Sequence, residues 1–595
     1  MIQTIKRLLY IIPDGAIRLA GMVILFLFSS GLEVIGIGAV APFIELSGKP
    51  NLIHDNYLLK RLFDISGIVD ENRFIAFLGF LIILLFCAKV FVAWLTQACI
   101  FQFGCRQQRL LINKLLDKYL FAPYTYHLKN NSSYIIDNIV EVAYKFNYIV
   151  QNLFVSVANI FIAFFLSLFL WHISSTVMLI MSIVLLPILV LINSFKQKIR
   201  FWGEKNRKGK LQLIKTINHS LGGIKETKVI GCENYFRNQV LLHSYEIEAS
   251  DNSFFKFSIL PRFLIEAAML ISTVSVISYF LFMGNDITEL HAILGVYALA
   301  AIRFLPAFSQ TIAGINALRN HSYTINQIYF DLKELKREGN YKNQLSIPRD
   351  KNTNYSRSTD KLSFQKHFDI ENISYQYPNQ VEYAIKDLSL SLNQGDSIAF
   401  VGKSGAGKTT LVDIILGLLI PQHGELKVDG VSIYENLRAW QNLVGYIPQS
   451  IFLADDTVKK NIAFGLPDEL IDIDKLYQAI EAAQLSEVVN NLPNGIDTRV
   501  GERGVLLSGG QRQRIGIARA LYYEREILVL DEATAALDNE TEKLVTDAIN
   551  ALSGKKTLIV IAHRLSTVEH CDRIYQIEKG RVVKYGSYKE VIIKK

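Results

Sequence analysis

The chain has 595 residues, which is more than one soluble domain usually contains. Half of the residues are hydrophobic, 11% are aromatic and the mean hydropathy is +0.23, which excludes an ordinary soluble protein and indicates a hybrid of membrane and soluble parts. The net charge of +8 does not indicate nucleic-acid binding, because the Lys and Arg residues cluster between hydrophobic runs, as the positive-inside rule predicts. The five cysteines lack metal-ligand spacing and indicate reduced thiols.

Six long hydrophobic runs occupy the first 320 residues. Runs such as residues 74–100 and 147–171 can cross a hydrocarbon core of about 30 Å as a helix. The first run begins near Arg18 and is too long for the hydrophobic region of a cleavable signal peptide, so we expect it to remain as a span. The predicted spans are residues 18–46, 74–102, 147–171, 174–195, 257–284 and 289–318.

The charges of the connecting segments predict the orientation of the spans. The segments after the second span (CRQQRLLINKLLDKYL) and after the fourth span (KQKIRFWGEKNRKGK) are strongly basic, and basic loops stay on the cytoplasmic side. The connection after the fifth span (MGNDITEL) is acidic and fits the outer side. Both termini are then cytoplasmic. The helical periodicity of the basic segments predicts that spans two to five extend well into the cytoplasm.

The character of the sequence changes after the sixth span. Residues 337–366 are polar and poor in large apolar side chains, which is typical of a linker. Beyond them, short apolar runs alternate with helical patterns, as in a soluble α/β domain. The predicted organisation is an all-α polytopic membrane domain of six long helices over residues 1–335, a linker over 336–366 and an α/β domain over 367–595.

The predicted outer loop at residues 47–70 contains a short amphipathic stretch from Tyr57 to Phe63. A surface helix that closes a long loop would explain this stretch. A helix that lies at the lipid headgroups and contacts a lipid substrate is the other explanation. The sequence leaves both interpretations open.

A glycine-rich segment follows the apolar strand SIAFV and opens the helix TTLVDIILGLL. This strand–loop–helix setting is what the phosphate-binding pattern G-x-x-x-x-G-K-[ST] requires. Glycines let backbone N–H groups turn toward phosphates, and the helix N-terminus adds the positive end of its dipole. Lys408 is expected to reach the terminal phosphates and Thr409 to hold Mg²⁺. The predicted ATP-binding residues here are Gly402, Lys403, Ser404, Gly405, Ala406, Gly407, Lys408, Thr409 and Thr410.

Two carboxylates, Asp531 and Glu532, end the apolar strand ILVLD. A carboxylate at the end of a buried strand suits Mg²⁺ coordination, directly or through water, and we assign this role to Asp531. Glu532 is then placed to polarise an attacking water molecule. Alone, the pair would also fit an ordinary strand end, but its position after a phosphate loop favours catalysis.

The segment Ser508, Gly509, Gly510 and Gln511 begins a predicted helix and offers a second anion cradle, although alone it also fits a turn with an N-cap. Together with the phosphate loop and the strand ending in Asp531, it resembles the ATP-binding cassette (ABC) family. The resemblance covers residues 368–592. It implies a P-loop NTPase of the ABC type that binds ATP and Mg²⁺ and hydrolyses ATP.

Further positions match the family one by one. Tyr377 resembles the aromatic residue that stacks on adenine, and Gln449 the glutamine that senses Mg²⁺ and the γ-phosphate. Asp538 resembles the residue of the loop that crosses the dimer interface, and His563 the γ-phosphate histidine. Residues 498–504 resemble the exporter-type segment that contacts the membrane domain. A single Tyr, Gln or His is ordinarily structural, whereas this ordered set is typical of an active cassette.

The resemblance also implies a partner. In the family each ATP lies between one chain's phosphate loop and the other chain's Ser508–Gly510 segment. Since this chain carries one cassette with both halves of the site, it resembles a half-transporter, and a homodimer is expected. Six spans before the cassette resemble the exporter-type architecture. Residues 121–139 and 221–236 are then candidate coupling helices, although plain helical turns remain an alternative.

Ionisable residues within spans are costly in lipid and ordinarily face a cavity or a partner. Arg303 could meet a phosphate group, or it could pair with Glu33 or Glu266 and only lock the helical bundle. The candidate cargo-contacting residues are Glu33, Lys89, Arg262, Glu266 and Arg303.

The strings around three of these residues (GLEVIG, PRFLIE and AIRFLP) resemble those of bacterial lipid-linked oligosaccharide flippases and of related cyanobacterial envelope polysaccharide and glycolipid exporters. This resemblance implies ATP-driven flipping or export of a lipid or lipid-linked saccharide across the bacterial inner membrane, with membrane lipid and cargo as partners and no nucleic acid. A multidrug or peptide exporter of the same architecture is the alternative. A soluble ABC ATPase of repair or translation conflicts with the six spans.

Overall fold

The computed structural model describes residues 2–12, 16–48, 50, 52–55, 57–68, 70–283, 287–342, 362–378, 380–532, 539–562 and 568–593. The chain divides into two compact units. We call residues 1–121 with 130–335 the helical unit, and residues 122–129 with 336–595 the α/β unit.

The first part of the chain consists of helices joined by short connections in its described residues. Its elements are α1 (Ile2–Ile11), α2 (Ala16–Gly48), α3 (Leu52–Asp55), α4 (Tyr57–Ser66), α5 (Glu71–Leu120), α6 (Tyr124–Lys129), α7 (Ser132–Asp137), a π-helical segment (Asn138–Val142), α8 (Ala143–Ile173), α9 (Ser175–Ser194), α10 (Lys196–Gly222), α11 (Ile224–Ile230), α12 (Glu233–Phe282), α13 (Ile287–Asn320) and α14 (Ser322–Lys342).

Six helical stretches in the described residues are long and apolar enough to span a membrane, which confirms the predicted number. They are Arg18–Val40, Glu71–Leu120, Ser132–Ile173, Ser175–Gly222, Glu233–Phe282 and Gly295–Asn320. The helices α5 and α12 each have 50 residues. At 1.5 Å per residue each is about 75 Å long, more than twice the hydrocarbon thickness. The predicted helical extensions of these spans are therefore present.

Small residues let the helices of the bundle approach closely. A Cβ atom added to Gly314 on α13 would lie 2.6 Å from the carbonyl oxygen of Asn152 on α8 and would overlap Ser156 Oγ. The two helices run side by side in opposite directions, because Gly314 meets Asn152 while the earlier Gln310 Oε1 accepts from Asn159 Nδ2, seven residues further along α8, at 2.9 Å. Backbone contact of this kind is typical of membrane helix pairs.

The amphipathic stretch of the outer loop forms the helix α4. Phe63 on this helix packs edge-on against Phe74 of α5, with ring centroids 5.0 Å apart. Leu62 and Ile65 stay exposed, at 51% and 74% of their surface. The helix is therefore anchored on one side by a small apolar cluster and presents apolar side chains on another.

The α/β unit alternates strands and helices. Its elements are β1 (His367–Tyr375), β2 (Ile385–Asn393), β3 (Ser397–Val401), α15 (Lys408–Ile415), β4 (His423–Val428), β5 (Val431–Ser432), α16 (Leu437–Leu443), β6 (Val444–Ile447), α17 (Val458–Ile462), α18 (Ile473–Ala482), α19 (Ser486–Asn491), α20 (Gly509–Tyr522), β7 (Ile527–Asp531), α21 (Asn539–Asn550), β8 (Thr557–Ile561), β9 (Arg573–Glu578) and β10 (Arg581–Gly586).

Two sheets organise this unit. The larger has the strand order β10-β9-β3-β8-β7-β6, in which all pairs are parallel except β10 with β9. The smaller is antiparallel, with the order β2-β1-β4-β5. The central strands β7 and β8 are buried along their whole length, because apolar clusters cover both faces of the sheet. The soluble part thus has the predicted α/β class.

The short helix α6 belongs to the α/β unit although it lies between α5 and α7 in sequence. Tyr124 packs against an apolar cluster of this unit. Burial, together with the nearby Asp413 and Tyr377, raises the pKa of Tyr124 above its usual value. The predicted linker falls mainly on residues 343–361, which are outside the described residues, and its first residues continue α14 to Lys342.

The contact between α8 and α13 predicts a specific sensitivity to side-chain size. Replacing Gly314 with Ala should destabilise the protein by about 1–3 kcal/mol, because the added methyl group meets backbone atoms that cannot move aside. Thermal unfolding of the purified protein in detergent would measure the loss. Gly21→Ala is the matched control, since no atom lies within 4 Å of its added Cβ. Equal melting temperatures for both variants would contradict the prediction.

Candidate nucleotide site and charged centre of the membrane helices

The phosphate loop connects β3 to α15 and depends on its glycines. Gly405 and Gly407 have φ angles of +80° and +106°, in the left-handed region that side chains with a Cβ rarely adopt. A Cβ on Gly407 would also lie 2.6 Å from the carbonyl oxygen of Ala384. The ammonium group of Lys408 donates to the carbonyl oxygens of Gly402 and Lys403, at 2.8 and 3.1 Å. The loop is therefore curled around the lysine that is predicted to bind phosphate.

The carboxyl end of β7 brings the predicted catalytic residues together. Glu532 directly follows β7 and has a φ of +50°, a strained value for a residue with a side chain. Gln449, which follows β6, donates from Nε2 to Glu532 Oε2 at 2.6 Å. Because β6 and β7 are parallel neighbours, their carboxyl ends meet at the same sheet edge. The two residues assigned from sequence are thus in direct contact.

The neighbouring carboxylate Asp531 is 7% exposed and accepts a hydrogen bond from Tyr446 Oη at 3.3 Å. Tyr446 lies on β6, three residues before Gln449. Burial and the negative charge of Asp531 raise the pKa of Asp413, on α15, to about 6. Sequence reasoning missed both Tyr446 and Asp413. Their positions in the sequence could have indicated them, because Tyr446 lies on the strand before Gln449 and Asp413 on the helix that follows the phosphate loop.

Electrostatics at Lys408 combine two opposing effects. Burial lowers the pKa of Lys408 below its usual value, whereas Glu532 and Asp531 favour the charged form. On the other side of α15, Tyr377 Oη is 3.2 Å from Thr410 Oγ1, and its ring packs edge-on against Tyr375. The predicted adenine-stacking residue is therefore attached to the helix that carries the phosphate loop.

The second predicted anion cradle is the N-terminus of α20. Ser508 is its N-cap and forms a capping box with Gln511. Ser508 and Gly509 are exposed, and none of the contacts in the described residues joins this segment to the chain's own phosphate loop. The predicted positions Asp538 and His563 fall in residues 533–538 and 563–567, which are outside the described residues.

The polar residues at the carboxyl ends of the strands suit a metal ion that binds together with a nucleotide. No group of three or more His, Cys, Asp and Glu side chains able to hold a metal occurs in the described part of the chain. Asp531, Thr409 and Gln449 offer one carboxylate, one hydroxyl and one amide oxygen. Mg²⁺ commonly uses one or two protein ligands and completes its shell with water and phosphate oxygens. This donor set therefore fits Mg²⁺ bound to a phosphorylated ligand.

The membrane spans contain a buried group of opposite charges. Lys89 Nζ on α5 lies 2.8 Å from Glu33 Oε1 on α2, and both residues are at most 5% exposed. Arg303 Nε on α13 lies 2.6 Å from the same oxygen, and its side chain is 44% exposed. Arg262 and Glu266 on α12 are exposed, and neither has an ion-pair partner among the described residues.

The sequence left open whether Arg303 pairs with Glu33 or Glu266 or meets a phosphate group, and the geometry bears on the pairing. Arg303 does pair with Glu33, as the bundle-lock interpretation expects, and not with Glu266. Lys89 was not expected to pair with the same carboxylate. Three of the five candidate cargo residues are therefore brought together, and Arg262 and Glu266 stand apart from them.

The raised pKa of Asp413 predicts a pH-dependent stability. The folded state disfavours the ionised form, so this residue destabilises the protein above pH 6, and the effect fades as the pH falls toward its ordinary value of 3.8. Asp413→Asn should therefore raise the stability of the nucleotide-free protein at pH 8 by about 1 kcal/mol, allowing for solvent screening of a half-buried group.

Thermal unfolding at pH 8 and pH 5 would test this expectation, with the exposed Asp455→Asn as control. The gain in melting temperature should be larger at pH 8 than at pH 5. The same gain at both values would rule out the titration of Asp413 as its cause.

Comparison with known proteins agrees with this geometry. The family described as ABC transporter matches residues 385–535, and the ABC transporter transmembrane region matches residues 55–289. The ATP-dependent lipid A-core flippase of Cupriavidus pinatubonensis is 30% identical over 487 residues, covering 80% of this chain and 79% of that protein. A Staphylococcus aureus protein named for multidrug export is 42% identical over 231 residues, 39% of this chain and 40% of its own.

A solved structure shares the fold over nearly the whole length. It is that of a bacterial Atm1-family ABC exporter with ATP bound, with a TM-score of 0.73, 21% identity and coverage of 98% of this chain and 97% of the other. Six apolar helices in the described residues, the match to the ABC transporter family and the flippase relative make this chain a multi-pass bacterial membrane protein that couples ATP hydrolysis to transport. The chain belongs to the ABC transporter family, as a half-transporter of the exporter type.

Proposed function

We propose that two copies of this chain move an amphiphile with an anionic head, such as a lipid or lipid-linked saccharide, across the bacterial cytoplasmic membrane. The observation that carries this proposal is the charged group in the spans. Two cations, Lys89 and Arg303, share the single carboxylate of Glu33, which leaves one positive charge. Such a charge is costly within a bilayer unless an anion or water accompanies it.

The two cations differ in what they can still bind. Lys89 is buried against Glu33, so its role is to hold the carboxylate. Arg303 engages Glu33 through Nε and its side chain remains 44% exposed, so its terminal nitrogens, which have no partner among the described residues, can donate to a phosphate or carboxylate. This arrangement supports an anionic head group. Bundle locking by Glu33 and binding by Arg303 are compatible, because they use different atoms of the guanidinium group.

Two further observations support a lipid as the cargo. The helix α4 is anchored through Phe63 and presents Leu62 and Ile65, as a helix at the headgroup level would. The Cupriavidus relative is named as a lipid A-core flippase. Multidrug export is the second candidate, favoured by the name of the Staphylococcus relative.

The proposed hydrolysis uses the residues of the α/β unit. Lys408 and the backbone N–H groups of the phosphate loop bind the phosphates. Glu532 orients and polarises the attacking water, and Gln449 holds the Glu532 carboxylate in place through its hydrogen bond. Tyr377 stacks on adenine. Bound Mg²⁺, held by Thr409, Asp531 and Gln449, would neutralise phosphate charge.

A second copy of the chain completes the proposed site. Ser508 and Gly509 are exposed at the N-terminus of α20, and no contact in the described residues joins the Ser508–Gly510 segment to its own phosphate loop. Val229 and Ile230 of α11 are 88% and 73% exposed, which suits docking of this helix on a partner's α/β unit. We assign Asp538 to the same dimer interface and His563 to the γ-phosphate.

The proposed orientation places both termini and the α/β unit in the cytoplasm. The basic segments at residues 105–120 and 196–210 support it. ATP-driven closure of two α/β units would turn the cavity outward, and hydrolysis would reset it.

A flipping assay in proteoliposomes tests the cargo proposal. Fluorescent lipids with a phosphate head, a lipid-linked saccharide with a phosphate group, and a neutral-head lipid are compared with ATP and with a non-hydrolysable analogue. ATP-dependent flipping of the anionic lipids and not of the neutral lipid is expected. Transport of neutral or cationic drugs alone would favour multidrug export and refute the anionic cargo.

Glu532→Gln should lower ATP hydrolysis by at least about 100-fold while ATP binding persists. The amide keeps the size of the side chain and can still bond Gln449, but it cannot accept the proton of the attacking water. Phosphate release and binding of a fluorescent ATP analogue are the measurements. The exposed Glu469→Gln serves as control. Full hydrolysis by the Glu532 variant would contradict the assigned role.

Arg303→Ala should reduce ATP-dependent flipping of anionic lipids about tenfold and basal ATP hydrolysis less than twofold, because the lost donor lies in the membrane helices. Both rates are measured on the same proteoliposomes. Arg237→Ala, an exposed arginine on α12, is the control. Equal loss of both activities with a lower melting temperature would reduce Arg303 to a bundle lock.

A further inference from the structure

A buried carboxylate on α14 collects hydrogen bonds from three side chains of other elements. Asp331 is 7% exposed. It accepts from Tyr119 Oη on α5 at 3.0 Å, from Tyr134 Oη on α7 at 3.0 Å and from Asn138 Nδ2 at 2.7 Å. We call these four residues the Asp331 cluster. It ties α5, α7 and the π-helical segment to α14.

The cluster closes a loop in the chain. Tyr119 is the second-last residue of α5, and Tyr134 lies in the first turn of α7. Both tyrosines donate to Asp331, so the residues at the two ends of the segment 120–133 are bound to the same carboxylate. This loop carries α6, whose Tyr124 packs in the α/β unit. Fixing both ends of a loop removes much of its conformational freedom. The cluster therefore fixes both ends of the loop that carries α6.

Asn138 makes the cluster more specific. Its side chain is 1% exposed and donates to Tyr119 Oη at 2.9 Å as well as to Asp331. Its side-chain amide oxygen Oδ1 accepts from Gln327 Nε2 on α14. Asn138 also begins the π-helical segment, and such wide turns persist mainly at functional positions because their hydrogen bonds are less favourable.

The cluster contributes less to the free energy of unfolding than apolar packing would, so stability does not explain it. Asp331 has no ion-pair partner in the described residues, and its donors are neutral side chains. Burial and Glu334 raise the pKa of Asp331, while the bonds from Tyr119 and Tyr134 and the charge of Arg207 oppose this effect. An apolar side chain of similar size would fill the space without the desolvation cost. A carboxylate here fixes the orientations of the three donor side chains through hydrogen bonds, which apolar packing does not do.

We propose that Asp331 is a positioning residue for the coupling of ATP hydrolysis to the membrane helices. By holding both ends of the 120–133 loop on α14, it makes α6 and the helical unit respond together to the nucleotide state. The role concerns coupling in an ABC exporter and does not depend on the identity of the cargo.

The test uses the full-length protein in lipid nanodiscs and two graded substitutions. Asp331→Asn keeps one acceptor oxygen, and Asp331→Leu keeps only the volume. Tyr134→Phe removes one donor while Asp331 stays. The controls are Asp117→Asn, an exposed carboxylate on α5, and Tyr245→Phe, a 71% exposed tyrosine on α12. Hydrogen–deuterium exchange of residues 120–133 is recorded without nucleotide and after trapping with MgATP and vanadate.

Hydrogen–deuterium exchange of residues 120–133 should become faster as more acceptor oxygens of Asp331 are removed. Exchange of residues 120–133 should be about fivefold to tenfold faster in Asp331→Asn and faster again in Asp331→Leu. Vanadate trapping should change the exchange of α5 and α14 in the wild type and the controls, and not in Asp331→Leu. Basal ATP hydrolysis should stay within about twofold, because the nucleotide site is unchanged.

Three outcomes would overturn the proposal. Unchanged exchange of residues 120–133 in Asp331→Leu would show that the cluster does not hold the loop. A retained vanadate response in α5 and α14 would show that coupling does not pass through it. If Asp331→Leu fails to fold, Tyr134→Phe decides. If Tyr134→Phe loses ATP hydrolysis in proportion to a fall in its melting temperature, the role of the cluster is purely structural.

Discussion

Parallel strand pairing at the centre of the large sheet determines where the chemistry of this protein can occur. In a parallel sheet all carboxyl ends lie at one edge, so the segments after β3, β6 and β7 must converge. The first is the phosphate loop, the second carries Gln449 and the third is Glu532. The 2.6 Å bond between Gln449 and Glu532 follows from this pairing. A shift in the β6–β7 register would separate them, whatever the local sequence.

The membrane helices obey a different constraint, which is the cost of charge in lipid. Glu33 and Lys89 satisfy it by burying their charges against each other, while Arg303 stays partly exposed beside them. The Asp331 cluster lies outside the predicted spans and meets a related cost, the burial of a carboxylate within the protein, through neutral donors. The first arrangement leaves a positive charge for a ligand, and the second fixes directions. These are the functions that we assign to them.

The sequence predicts best what local geometry decides. The glycines, Lys408 and Thr409 lie within one strand–loop–helix segment, so their pattern was sufficient. The six spans followed from run length. Tyr446 and Asp413 were missed, because their proximity to Asp531 depends on strand order and helix packing that no local pattern records. The Lys89–Glu33 pair joins α2 to α5, and the Asp331 cluster joins residues about two hundred positions apart in sequence. The roles of the nucleotide-site residues stay predictions until hydrolysis is measured.

The inclusion of α6 in the α/β unit has a consequence for dissecting the protein. The catalytic unit is discontinuous in sequence, and the segment supplied from elsewhere includes Tyr124, which covers part of an apolar cluster. A truncated chain that starts after α14 would leave that cluster open to water, at a cost that grows with the apolar area exposed. Its solubility and enzymology would then report on an unnatural surface. Exchanging the cassette between relatives would likewise require transplanting this short insert along with it.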